Sequence, residues 1–118
     1  MPLNRPVALQ LYSVRHACQD DLFGVLNRVA VFGYNGVEFA GYYGHRPLDI
    51  RRVLDDVGLK AEGTHTGIDQ LDEANFNATV DAHKDLGAEY CIIPGLPEAM
   101  RNTPAACAET AKKLTELT

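Results

Sequence analysis

The sequence predicts an α/β fold, a single domain over residues 1–118 built from four parallel βα units. Three observations carry this. Short apolar runs alternate with runs of helical period, the pattern of strand followed by crossover helix. Three helix ends share one plan, "GYNGVEF", "GLKAEGT" and "GAEYCII": a glycine, a two-residue turn, then a strand. Their glycines, Gly33, Gly58 and Gly87, fall 25 and 29 residues apart, the length of one βα unit. With 118 residues the chain can bury one core but not two.

The first strand is "VALQLY", Val7 to Tyr12, followed by a loop, "SVRHACQ". Asp20 or Asp21 then caps a helix whose Leu22, Val25, Leu26, Val29 and Phe32 form one apolar face. Gly33 ends it, because glycine takes the left-handed cap conformation without steric cost. The second strand is "GVEFA", and the loop "GYYGHR" after it leads to Pro47, suited to a first helical turn. Ile50, Val53, Leu54 and Val57 form the next inward face. The third strand is "KAEGTH". The third helix runs from about Ala74 to Leu86, with Phe76, Val80 and Leu86 inward. The fourth strand, "YCIIP", is almost wholly apolar, as expected of a strand buried on both faces, and Cys91 is expected in the core with it. After "GLPEAMRN", Thr103 caps the last helix and Pro104 opens it.

Bulk composition removes several function classes. The formal charge is −5, with no cluster of Lys and Arg, which argues against a nucleic-acid surface. No apolar run reaches the ~20 residues of a membrane span. The N-terminal "MPLNRPVALQLY" lacks a basic leader and apolar signal core, so the expected location is cytoplasmic. Cys18, Cys91 and Cys107 are too few and too scattered for a disulfide framework or a zinc knuckle. There is no phosphate-binding glycine loop and no nucleophile elbow.

Two architectures suit four βα units. With strand order 1-2-3-4 every helix lies on one face, giving half of a (β/α)8 barrel. With one reversal of order, helices cover both faces as in flavodoxin-like sheets. In both, function belongs at the C-terminal strand ends: residues 13–19, 40–46, 65–69 and 94–101. A flavodoxin-like receiver would carry an acid pair at the end of the first strand, and "LQLYSVR" has none there.

The segments "ALQLYSVR", "GYNGVEFAGYYG", "LDDVGLKAEGTHTGIDQL" and "LGAEYCIIPGLPE", with the Thr103–Pro104 helix start, resemble the sugar phosphate isomerase/epimerase family in order and spacing. The resemblance covers essentially the whole chain and implies a xylose-isomerase-like TIM barrel, hence order 1-2-3-4. It implies a small-molecule sugar or sugar phosphate as substrate, and a divalent metal (Mn, Mg, Co or Zn) bound by acids and a histidine. Those ligands would come from later strands, outside these 118 residues, so no metal ligand is assigned within them. It also implies the N-terminal half of an enzyme about twice as long. A metal histidine set and basic groove, as in endonucleases on the same barrel, are not evident.

Five residues are the candidate substrate-binding set. Glu38 alternates with Val37 and Phe39 and points to the opposite face. It is either a pocket carboxylate or a structural acid paired with Arg15 or Arg46. His65 ends the third strand in "GTHTG". It either bonds substrate or rests on a backbone carbonyl. Tyr42, beside Tyr43, His45 and Arg46, offers an aromatic face to a sugar or packs on the rim. Gln10 and Tyr12 of the first strand complete the set. Arg15 is read as an anion site or a surface ion pair, and His16 and His83 as exposed. No catalytic residue is assigned.

A half barrel leaves one sheet face and two strand edges open. The sequence therefore predicts that the chain does not stand alone: it is either a fragment of a longer protein, or a homodimer or larger assembly with strand 1 of each copy beside strand 4 of another. The functional expectation is the substrate-pocket half of a metal-dependent sugar or sugar-phosphate isomerase/epimerase. The alternative is a half-barrel module that assembles without chemistry.

Overall fold

A computed structural model describes residues 5–118. Four strands, β1 (Ala8–Gln10), β2 (Gly36–Phe39), β3 (Lys60–His65) and β4 (Tyr90–Ile92), form one parallel sheet in the order β1-β2-β3-β4. The helices are α1 (Arg15–Val31), α2 (Pro47–Val57), α3 (Phe76–Leu86) and α4 (Pro104–Glu116). In the helix layer α1 packs on α2, and α2 on α3. Consecutive right-handed crossovers place successive helices on the same side. The sheet is thus half of a (β/α)8 barrel, as the strand order predicted from sequence requires.

One apolar core joins the sheet to this layer. Leu22, Leu26 and Val29 of α1, and Ile50 and Leu54 of α2, close over Val37, Phe39 and Ala61. Val25, Val53 and Val57 pack at its margin. Helix α2 begins at Pro47 and ends at Gly58, whose φ of +77° is the left-handed cap. Gly87 ends α3 in the same way. The Thr103 hydroxyl accepts from the Ala106 N–H at 3.0 Å, capping α4 as predicted.

Four local expectations are corrected. The first strand, read over Val7–Tyr12, spans only Ala8–Gln10, and the segment read as a loop after it is helical: a 3₁₀ turn over Leu11–Val14 runs straight into α1, with Leu11 and Cys18 buried. Yet Asp21 does cap: its backbone is extended inside α1, and its Oδ1 accepts from the Gly24 N–H at 3.0 Å. Two helical segments meet end to end at that kink. Phe32 lies beyond the sheet and is 76% exposed, so it is not on the inward face. Helix α3 starts at Phe76 rather than near Ala74. Finally, Tyr90 and Cys91 are exposed, because β4 is the free edge of the sheet and has a neighbour on one side only.

Candidate functional site

The register of β1 and β2 pairs Leu9 with Val37 and Gln10 with Glu38. Val37 and Phe39 are fully buried beneath the helices. Alternation therefore turns Glu38 and Gln10 to the open, concave face. On β3 simple alternation fails. Val37 pairs with Ala61, but Glu38 pairs with Gly63, so Glu62 is an extra residue in the ladder. This bulge shifts every later residue of β3 by one position. Thr64 goes under the helices beside Phe39, and His65 comes up on the face of Glu38.

Three predicted residues thus converge from three adjacent strands. Glu38 Oε1 lies 2.7 Å from His65 Nε2 and 2.8 Å from Gln10 Nε2. The Gln10 amide nitrogen and His65 Nε2 are 3.4 Å apart. Both are donors when they share the carboxylate, so that third contact is two N–H groups meeting one acceptor. A carboxylate partner at Nε2 selects the Nε2–H tautomer and leaves Nδ1 as an acceptor. The side chains are 26% (Glu38) and 18% (His65) exposed, open enough for a ligand to reach and sheltered enough to hold geometry.

Neither alternative reading of these two residues holds. Arg15 stacks over the Tyr12 ring at 4.3 Å and donates to the Tyr12 carbonyl; Arg46 pairs with Asp49. Glu38 is partnered by the Gln10 amide and the His65 imidazole instead. His65 meets a carboxylate, not a backbone carbonyl.

Tyr12 and Tyr42 make no hydrogen bond to this trio. Tyr12 is half exposed beneath Arg15. Tyr42 packs against the core, edge-on to Phe39. Burial pushes its phenol pKa up, so it stays neutral at ordinary pH. It helps line a cavity of about 400 Å³ with Thr64, His65, Thr66 and His83. The loop holding it is not loose: Tyr43 adopts φ +54° between two glycines of positive φ and packs on the core beside Cys18.

His83 was missed. It is half-buried, its Nδ1 donating to the Thr79 carbonyl at 2.8 Å and its Nε2 3.5 Å from the Thr66 hydroxyl. The i, i+4 spacing of Thr79 and His83 held the signal. Among the described residues, no three His, Cys, Asp or Glu side chains gather as a metal site. Glu38 and His65 are two donors where a resident metal needs three or four.

No protein-family model matches the sequence, and no curated protein matches it. Solved structures do. A sugar phosphate isomerase/epimerase from Parabacteroides distasonis superposes with a TM-score of 0.65 at 23% identity, covering 81% of this chain and 41% of that one. A second such structure from the same organism gives 0.64 at 25% identity, covering 80% and 43%. The chain's fold matches part of the barrel in these sugar phosphate isomerase/epimerase structures. The half-barrel spans about two fifths of the length of these structures. The resemblance read from the sequence segments and the likeness in fold therefore point to the same group.

Proposed function

We propose that this half-barrel forms the substrate-binding wall of a sugar or sugar-phosphate isomerase/epimerase, with Glu38 and His65 meeting the sugar. One observation carries the reading: a half-buried carboxylate held by imidazole and amide N–H groups at the concave face of β1–β3. Barrel enzymes bind substrate at the C-terminal strand ends, where Gln10 and His65 lie. The likeness to the two isomerase/epimerase structures supports the substrate class.

The chemistry of the trio suits a polyol. The recorded bonds to Glu38 all use Oε1, so Oε2 accepts from a sugar hydroxyl. His65 Nδ1 accepts from a second. The Glu38 carboxylate holds the imidazole in place through Nε2. Isomerisation and epimerisation move a proton at a carbon beside a carbonyl, and an imidazole positioned at the sugar is a group of the right type to take and return it.

Titration of the isotope-labelled chain with a panel of aldose and ketose phosphates tests this. Amide shifts should centre on Gln10, Glu38 and His65. Glu38→Gln and His65→Ala should each weaken binding about tenfold or more, the effect of losing a charged or buried hydrogen bond. If no sugar shifts these amides, or the substitutions leave binding unchanged, the reading fails.

A further inference from the structure

The half-barrel exposes more surface than a folded chain of its size. Its accessible area is 7933 Å². A compact monomer of the same 12.9 kDa mass exposes about 6,300 Å². Its radius of gyration is 16.0 Å, against about 13.5 Å for a compact domain of this length. The excess, about 1,600 Å² per chain, matches the share each partner contributes to an obligate dimer.

The unpartnered groups lie toward the two flanks. At one are Val7, with Val31 and Phe32 at the end of α1, the last two 84% and 76% exposed. At the other is β4, with Tyr90 62% exposed. Helix α4 is anchored locally, the Thr110 hydroxyl donating to the Met100 carbonyl at 2.7 Å. It leaves an apolar cleft of about 610 Å³ against α3 and β4, lined by Phe76, Val80, Cys91, Ile93, Leu114 and Leu117. Among the described residues β1 and β4 are the two edges of the sheet, each with one neighbouring strand.

We propose that the half-barrel closes with a second copy of itself, β1 of each copy pairing with β4 of the other. A twofold axis along the barrel keeps all eight strands parallel and makes the two seams identical. Both edge strands are three residues long, so the edges match. Eight strands is the number at which a barrel interior is just filled by side chains. Charge permits the seam. Residues 5–32 carry three Arg and two Asp, and residues 84–118 carry four Lys or Arg and five Asp or Glu. The acid excess lies in the middle of the chain, away from the junctions. In the closed barrel the β1 of one copy is the strand toward which α4 of the other crosses. The two Glu38–His65 pairs then face one lumen, and each copy supplies the missing wall of the other's site. This inference does not depend on sugar binding.

Sedimentation of the 118-residue chain at micromolar concentration should give twice the 12.9 kDa mass, with no larger species. Phe32→Glu and Tyr90→Lys should each weaken association about tenfold or more, with helical circular dichroism retained. In a Cys107→Ser chain, the native Cys91 thiol should react quickly when dilute and more slowly as concentration rises. A monomer at all concentrations overturns the proposal. So does an open series of oligomers, since closure limits the contact to two copies. A monomer that shifts only on mixing with a separate four-strand half-barrel overturns it in favour of that partner.

Discussion

Glu38 Oε1 takes two hydrogen bonds, from Gln10 and His65, and among the described residues no arginine pairs with it. Both bonds fall on Oε1, which leaves Oε2 for a ligand. Elsewhere burial acts on neutral groups. The Cys18 thiol and the Tyr42 and Tyr43 phenols all have raised pKa values, desolvation being the main cause in each. The sign for stability follows. A raised folded pKa means the protonated form is the one the fold holds, so stability is full below the ordinary values of 9.0 and 10.0 and falls as pH rises through them. The urea midpoint should therefore hold steady from neutral pH to about pH 9 and decline above it. A midpoint that rises on the alkaline side would contradict the burial of these three groups.

At the scale of elements, the β3 bulge decides the site. The sequence offered "KAEGTH" as a strand, and strict alternation from Ala61 would have put His65 under the helices with Gly63. The extra residue, Glu62, reverses that. Two glycines allow the strands to pass closely here. A Cβ on Gly36 would lie 2.6 Å from the Lys60 carbonyl oxygen, whereas one on Gly63 would lie 2.7 Å from Ile92 Cδ1. A backbone carbonyl cannot swing aside and a terminal methyl can. Gly36→Ala should therefore cost more stability than Gly63→Ala, within the about 1–3 kcal/mol typical of overpacking, as read by chemical denaturation. Equal costs would mean the strands can part freely. The caps needed no such help: Asp21 and Thr103 were legible because a short polar side chain before an apolar helical run has one common use.

For the whole molecule, the core is one-sided. It lies between the sheet and the helix layer, centred on Leu22, Leu26, Leu54, Val37 and Phe39, while the other sheet face carries Gln10, Glu38 and His65. Stability thus rests on a single interface. Leu54→Ala, at 1% exposure, should cost about 2–5 kcal/mol, a large part of the about 5–15 kcal/mol available to a domain. A loss below about 1 kcal/mol in denaturant would show that α2 is not part of that interface. The expectation that β4 is buried failed at this scale: its composition is that of an interior strand, but a strand at the sheet edge lacks a second neighbour.

Helical and strand periods, glycine caps and the repeat of βα units determined the element order, and they pointed to Gln10, Glu38 and His65 as pocket residues. Those signals are local, set by backbone conformation and by which side chains must leave water. Tertiary structure alone decided that the three residues touch. That depended on a one-residue shift in the pairing of β2 with β3, which no period within β3 encodes, because register belongs to two strands at once.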